Sequence, residues 1–251
     1  MTPQPQRDPF LGFLPDIIAA PDNDELRLQC ALALQIESPA RANLIRLQIT
    51  LANLPSSVDH PEWFRLAAEA DDLLQKHAPA WTPAWYQTEN ITQAEFHRGF
   101  IEAVTVPFLD PYTWPNLFTS NPIRQLRLIN LNGDTDLVRL LPILARQNLT
   151  ALHLDAQNLT DVALLSLLDY SFPSLHILSL AHNNLHQRSV AALAEASRPT
   201  GPLPLLRTVN LQGNPFDPIE QRHEDQGVLV SRHIPAEAAD LPPAPWLFAR
   251  A

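Results

Sequence analysis

Residues whose types could do chemistry lie mostly in the second half of the chain. His153 and Asp155 are separated by one residue and would lie on the same side of a strand, where imidazole and carboxylate can form an acid–base pair. Ser179 offers the nearest hydroxyl on the next strand, but no glycine turn exposes it as a nucleophile. These residues favour a contact surface over a hydrolase, with Ser/His/Asp catalysis as the open alternative.

Metal and thiol chemistry have less support. His182 and His186 have the i, i+4 spacing of a helical zinc pair, but Asn183 and Asn184 between them indicate a turn. Cys30 is the single cysteine, so an internal disulfide is excluded and the thiol is expected in a helix core. We therefore expect no metal, no cofactor and no enzyme activity.

The strands that position these residues belong to a phrase written three times, starting at residues 149, 175 and 206. It reads Leu-x-x-Leu-x-Leu-x-x-Asn-x-Leu, with Val209, Phe216 and Gln157 as substitutions. Positions 4 and 6 point to the same side of a short strand and form the core. The position-9 amides can satisfy backbone groups that the turn leaves unpaired, which predicts an amide ladder between stacked repeats. Its members are Gln157, Asn183 and Asn214.

This spacing is typical of leucine-rich repeats, in which a strand and a helix alternate with a period of roughly 20 to 29 residues. Weaker copies start at Ile101, where Pro107 and Pro111 replace the expected helix, and at Ile123, where Leu131 stands in place of the amide. The sequence predicts an α/β fold: a short leucine-rich-repeat solenoid with parallel concave strands and convex helices, spanning residues 96–220.

Residues 1–95 lack the phrase and read as an N-terminal helical bundle that caps the solenoid. Four helices are expected. The first ends at Pro21; the second is capped by Asp22 or Asp24, ends near Ser38 and Pro39, and runs through Leu26, Leu28, Leu32, Leu34 and Ile36. Residues 221–251 are expected to form a C-terminal cap and tail. In that segment residues 227–234 alternate like a last strand, and the proline-rich residues 242–248 are either a cap or a docking peptide.

Three sequence blocks between residues 13 and 104 resemble the bacterial repeat-companion domain, which precedes leucine-rich repeats. The blocks are Phe13-Leu14-x-x-Ile17-x-Ala19-x-Pro21-x-x-Asp24-x-x-Arg27-Leu28, Asn43-Leu44-Ile45-Arg46-Leu47-Gln48 and Phe96-x-Arg98-Gly99-Phe100-Ile101-Glu102-Ala103-Val104. A segment departs from the family: where it usually reads Tyr-Ala-Asp-Trp-Leu, this chain has Gln29-Cys-Ala-Leu-Ala-Leu34. The resemblance implies the architecture and a bacterial origin, and it carries no catalytic residues. The repeats are similar to the ribonuclease-inhibitor type.

The amino-acid composition limits the kinds of partner that this chain is expected to bind. The 251 residues include 17 basic and 27 acidic side chains, a net charge of −10, and Lys76 is the single lysine. A chain without a basic run is a poor ligand for nucleic acid. Acidity can steer a basic protein toward the chain, or it can simply keep the surface soluble. No apolar run approaches membrane-spanning length, so we expect a cytoplasmic protein, or one exported without a Sec signal, that makes no membrane contact and is a monomer by itself.

The outward positions 3, 5 and 7 of the phrase give a candidate binding face roughly 20 Å across, since neighbouring strands lie about 4.8 Å apart. The resulting function is a non-enzymatic protein–protein interaction module. One version is an inhibitor or immunity protein for a basic toxin; the alternative is an accessory, substrate-positioning subunit of an enzyme complex. Binding through loops, the N-terminal bundle or the tail remains open. The candidate contact residues are Gln125, Arg127, Ile129, His153, Asp155, Ile177, Ser179, Asn210 and Gln212.

Overall fold

The computed structural model describes residues 9–54, 61–83, 86, 91–107, 114–215 and 229–231. Within these residues the chain is an α/β protein with eight helices and one seven-strand sheet. The helices are α1 Pro9–Ala19, α2 Asp24–Ala33, α3 Pro39–Asn53, α4 Pro61–Trp81, α5 Trp114–Ser120, α6 Asp134–Leu144, α7 Asp161–Leu168 and α8 Gln187–Ala196. The strands are β1 Gln93–His97, β2 Phe100–Pro107, β3 Gln125–Ile129, β4 Ala151–His153, β5 Ile177–Ser179, β6 Thr208–Asn210 and β7 Leu229–Ser231.

The strands lie side by side in chain order, and every pair from β2 to β7 is parallel. Parallel neighbours need a crossover connection, and α5 to α8 supply it between β2 and β6. The phrase leucines are buried on the helix side of the sheet, as Leu152, Leu178 and Val209 show with no exposure. Alternation along each strand therefore leaves the opposite side of the sheet for polar and mixed residues.

The beginning of the sheet differs from the expectation. β1 pairs antiparallel with β2, so the first edge of the parallel sheet is covered by a strand rather than by the helical bundle. Arg98 and Gly99 join the two strands, and both have positive φ, at 48° and 83°. Two central residues with positive φ are what a two-residue type I′ hairpin requires. A Cβ at Gly99 would collide with Ile45 of α3, so glycine also allows the close approach of that helix.

The N-terminal helices pack in chain order, α1 on α2, α2 on α3 and α3 on α4. The first stops before Pro21 as expected, but the cap of α2 is Asn23, whose Oδ1 accepts from the backbone N–H groups of Glu25 and Leu26. Cys30 is fully buried in the core of this part, as predicted.

Of the five apolar residues expected along α2, Leu34 is buried and Leu26 packs against the core, so the prediction is confirmed for these two only. Leu28, Leu32 and Ile36 lie on the solvent side of the helix and of the turn that follows it. The helix itself ends earlier, at Ala33, with Leu34 as its C-terminal cap.

The turns after the strands share one feature that the sequence did not reveal. Position 8 of the phrase has positive φ in four successive copies, at Asn130, Ala156, His182 and Gly213. The left-handed backbone reverses the chain out of the strand, and three of the four positions accept it without glycine. His182 thereby belongs to the turn and His186 to the start of α8, which confirms that the pair straddles a turn.

The amide ladder predicted from position 9 is confirmed. Asn183 Oδ1 accepts from the backbone N–H groups of Gln157 and Leu159 in the preceding copy, and its Nδ2 donates to three carbonyls. Gln157 Oε1 does the same one copy earlier, accepting from Leu131 N–H. Asn214 Oδ1 accepts from Leu185 N–H one copy later. Each amide therefore ties a turn to its neighbour, and Gln157 and Asn183 do so where they are buried.

A second ladder of carboxylates runs along the helix starts. Asp134 accepts from the backbone N–H and the hydroxyl of Thr160. Asp161 accepts from the backbone N–H of His186 and the hydroxyl of Ser189. Burial raises the pKa of Asp161, but these hydrogen bonds outweigh burial and hold the pKa below its usual range.

At the two ends of the repeats the outcomes are mixed. α5 follows β2 in spite of Pro107, so a short helix stands where none was expected. The last predicted strand is present as Leu229–Ser231, parallel to β6. Pro111, Phe216, the remainder of residues 227–234 and residues 242–248 lie outside the described residues.

Candidate functional site

The outward side of the parallel strands, which we call the strand face, carries the nine candidate contact residues. The register places Arg127, His153, Ser179 and Asn210 in one row, beginning at Thr105 on β2. Gln125 and Ile177 belong to the row on one side of it. Ile129, Asp155 and Gln212 occupy the equivalent phrase positions on the other side. The structure therefore brings the nine residues together across four strands.

Asp155 is the most engaged group of the strand face. Its Oδ1 accepts from the Ser179 hydroxyl and from the backbone N–H of Ala181, at 2.9 Å for the latter. Its Oδ2 lies 3.6 Å from Nη1 of Arg127. One carboxylate thus links β3, β4 and β5, and Arg127 is held over the neighbouring strand while remaining partly exposed.

Ser179 is a correction to the predicted contact residues. It is buried, and its hydroxyl donates to the carboxylate of Asp155. The hydroxyl proton is directed at a partly exposed carboxylate, so Ser179 helps to hold Asp155 in place.

His153 lies between Arg127 and Ser179 in the central row of this face. Burial lowers its pKa below the usual 6.5, the positive charge of Arg127 lowers it further, and the carboxylates of Asp155 and Glu95 oppose the shift. Because the net direction is downward, the imidazole is neutral at pH 7. A neutral, half-buried imidazole adds a ring without a charge to the strand face.

Around this centre the side chains are more open. Ile177 is 40% exposed on β5, and Gln212 is exposed beyond the end of β6. Ile129, Gln125 and Asn210 are half-buried. Asn210 Oδ1 accepts from the backbone N–H of Gln212, so its amide group is oriented locally. The face therefore combines an exposed apolar side chain, an arginine on the strand beyond His153 and polar amides, and apolar residues and arginine are enriched at the centres of protein interfaces.

A second polar cluster, which the sequence did not reveal, lies where the N-terminal helices meet the β1–β2 hairpin. Arg27 is fully buried, and its Nη2 is 2.7 Å from Oε1 of Glu102 on β2. The same nitrogen donates to the Pro21 carbonyl at 2.8 Å. Arg98, in the hairpin turn, lies 3.0 Å from the other oxygen of Glu102 and 3.4 Å from Asp24. We call these groups the hairpin network.

Helix α3 completes the hairpin network. Gln48 accepts from Gly99 N–H and donates to the Phe96 carbonyl, each at 2.7 Å. Arg41 donates to the Gly99 carbonyl at 3.1 Å, with its guanidinium 4.4 Å from the ring centre of Phe10. The three sequence blocks singled out above therefore meet at one turn. The sequence signal that could have indicated the hairpin network was the presence of charged side chains in those blocks, which are far apart along the chain.

In the hairpin network, neighbouring carboxylates oppose the effect of burial on the pKa of two arginines. Burial lowers the pKa of the Arg27 guanidinium, and Glu102 acts in the opposite direction. For Arg98, burial lowers the pKa, but Glu102, Asp24 and Asp22 raise it above its ordinary value. Both guanidinium groups stay charged, since arginine titrates far above neutrality. The network joins the helices to the sheet and offers no group poised for proton transfer.

Among the residues that the structure describes, no group of three or more His, Cys, Asp or Glu side chains is arranged to hold a metal ion. None of the helices in the described ranges is long and apolar enough to cross a membrane. Comparison with protein-family models and with curated proteins found no match to this chain.

Proposed function

We propose that this chain is a non-enzymatic protein-binding module in which a short leucine-rich-repeat solenoid presents the strand face to a protein partner. The helical N-terminal part, with its resemblance to the repeat-companion domain, holds the first strands in place. The observation that carries the proposal is the juxtaposition of exposed Ile177 and partly exposed Arg127 on either side of half-buried His153. The carboxylate of Asp155 orients Arg127 before a partner arrives, which lowers the entropy cost of binding.

The support for a binding module comes from how the polar groups are used. The amide and carboxylate side chains between the copies are hydrogen-bonded to backbone and hydroxyl groups, as for Asn183, Asp155 and Asp161. What remains accessible on the strand face is a mixed apolar and polar surface. Such a surface recognises another surface.

The test compares two double variants in binding assays with a partner captured from the native host. Arg127→Ala/Ile177→Asp alters the strand face. Arg188→Ala/Val162→Asp makes the same chemical changes on exposed positions of α8 and α7. We expect the face variant to weaken binding by about 30-fold or more, as for a hot spot of about 2 kcal/mol. Binding that is unchanged in the face variant, or equally reduced in both, would contradict the proposal.

We propose further that the partner is basic, with a toxin or nuclease as one version. The net charge of −10 motivates it, although the strand face itself combines Arg127 with Asp155 and carries no acidic patch. The charge would therefore act at long range and raise the association rate. Raising the salt concentration from about 0.05 to 0.5 M should slow association markedly and change dissociation little. Association that is independent of salt would remove the basic partner while leaving the face intact.

A further inference from the structure

The turn between β3 and α6 contains the one asparagine–glycine pair of the sequence, Asn132 and Gly133. Asn132 is exposed, and Gly133 is the N-terminal cap of α6 with positive φ. Asparagine is chemically labile because the backbone nitrogen of the next residue can attack its side-chain carbonyl carbon. Glycine hinders this attack least, since it has no side chain and the freest backbone. The pair therefore combines the two residue types that this reaction needs.

Two equivalent asparagines in the following copies provide a comparison within the same chain. Asn158 and Asn184 occupy phrase position 10, as Asn132 does, and both are exposed. Each is followed by a leucine, Leu159 or Leu185, whose side chain crowds the backbone nitrogen. Exposure alone therefore does not distinguish the three asparagines, but the residue that follows does.

The amide ladder holds the backbone nitrogen after each of these two asparagines. Leu159 N–H donates to Asn183 Oδ1 at 3.1 Å. Leu185 N–H donates to Asn214 Oδ1 at 3.0 Å. A nitrogen whose hydrogen is bonded in this way is held in place and is less able to lose that hydrogen and attack a carbon.

Gly133 lacks the corresponding bond. The position-9 amide of the next copy is Gln157, whose Oε1 accepts from Leu131 N–H and whose Nε2 donates to the Asp155 carbonyl. Within the described residues, the N–H group of Gly133 donates no hydrogen bond. Glutamine in place of asparagine thus ties position 9 of the preceding copy and leaves the nitrogen at position 11 available.

We propose that Asn132 is a site of spontaneous deamidation, in which the backbone nitrogen of Gly133 attacks Cγ of Asn132. The nitrogen loses its proton and forms a bond to Cγ, the bond from Cγ to Nδ2 breaks, and ammonia leaves with that proton. Water then opens the resulting five-membered imide at either of its carbonyls. The products are aspartate and isoaspartate, and the net reaction consumes one water and releases one ammonia without any oxidant or cofactor.

The two products differ in what they do to the structure. Aspartate adds a negative charge and keeps the backbone, whereas isoaspartate also inserts one methylene into the backbone before Gly133. On one side of that point Leu131 is tied to Gln157, and Asn132 N–H donates to Oδ2 of buried Asp136 in α6 at 2.8 Å. The longer backbone cannot keep both of these contacts and the start of α6 in place, so the isoaspartate form should be less stable than the aspartate form.

Peptide mapping by mass spectrometry, after the full chain has been incubated above neutral pH, tests the site. We expect the peptide with Asn132 to gain one dalton, to separate into two isomers, and to convert at least tenfold faster than Asn158 and Asn184. Conversion should accelerate as the pH rises, because the attacking nitrogen must lose its proton. The matched control Asn132→Gln keeps the amide but requires a larger ring, so it should remain unconverted.

Two variants test the structural part of the proposal. Gln157→Asn gives position 9 the residue of the following copies and should slow conversion by offering the Gly133 N–H group an acceptor. Asn132→Asp is the reference for stability, and the separated isoaspartate form should unfold at a lower urea concentration. Circular dichroism checks that the variants are folded.

The proposal is overturned if Asn132 stays unchanged, or if it converts no faster than Asn158 and Asn184. Conversion that is equally fast in the wild type and in Gln157→Asn would overturn the role assigned to the Gly133 N–H group. An isoaspartate form as stable as Asn132→Asp would overturn the expected effect on the turn.

Discussion

Removing Arg27 should destabilise the chain more than any surface substitution, because it strips a buried carboxylate of its partner. Arg27 is fully buried, its Nη2 lies 2.7 Å from Glu102, and it also donates to the carbonyls of Pro21 and Arg98. Breaking a buried ion pair by removing one partner typically costs about 3 to 5 kcal/mol. Arg98 remains 3.0 Å from the other oxygen of Glu102, which moderates the penalty. We therefore expect Arg27→Met to lose about 3 kcal/mol of unfolding free energy.

The measurement is urea unfolding followed by circular dichroism, with linear extrapolation to water. The control is Arg65→Met, since Arg65 is exposed and pairs with Glu62 and Glu69 on the surface of α4. Exposed pairs contribute little, so this change should stay within about 0.5 kcal/mol.

The double variant Arg27→Met/Glu102→Met separates the charge from the packing. Without the carboxylate, Arg98 keeps Asp24 and Asp22 as partners, so the double variant should recover most of the loss. A loss below about 1 kcal/mol for Arg27→Met would refute the reasoning, given the usual penalty for an unpaired buried charge. A double variant as unstable as Arg27→Met alone would show that apolar packing and not the ion pair matters at this position.

Three further changes test other parts of the structure by the same urea method. Asn183→Leu leaves buried backbone groups of two turns without partners, so a loss of about 3 kcal/mol or more is expected, and a loss under 1 would contradict the ladder. Because the pKa of His153 is lowered in the folded state, the unfolded chain takes up a proton first as the pH falls through about 6.5. The unfolding free energy of the wild type, relative to that of His153→Gln, should therefore decline toward about pH 5. A difference that stays constant with pH would argue against the burial of His153. Gly99→Ala should lower the unfolding free energy by about 2 kcal/mol or more, because Gly99 has positive φ and a Cβ there would collide with Ile45. Gly12→Ala, which has open space in α1, should raise the unfolding free energy by about 0.5 to 1 kcal/mol. Equal effects of the two substitutions would contradict a special role for the turn.

The repeated phrase was enough to predict the alternation of strand and helix in the second half of the chain. Leucine spacing sets which side of each strand is buried, and the structure buries Leu152, Leu178 and Val209 on one side. The role of the position-9 amide was also predictable, since a side-chain amide at a strand end can hydrogen-bond the backbone of the turn. The row from Arg127 to Asn210 followed from the same spacing, because equal phrases that stack in parallel align equal positions.

The sequence was less informative where contacts join distant segments. Exposure along α2 was misjudged because Leu28, Leu32 and Ile36 have the spacing of a core face, and periodicity alone does not say which face meets the protein. The covering strand β1 was missed because Gln93–His97 is short and mixed in character. Ser179 was expected at the surface because its neighbour Asp155, which draws the hydroxyl inward, belongs to another strand.

By itself the sequence determined the local features of this protein: the short strands, the turns after them, the amides that link successive copies and the acidic net charge. Each of these depends on residues that are close along the chain or repeat at a fixed interval. Only the tertiary structure decided that Arg27, Gln48 and Glu102 converge on one hairpin, that Asp155 contacts both Ser179 and Arg127, and that Leu28 and Leu32 of α2 face solvent. Those outcomes depend on burial, and burial is a property of the whole packed chain rather than of any one segment.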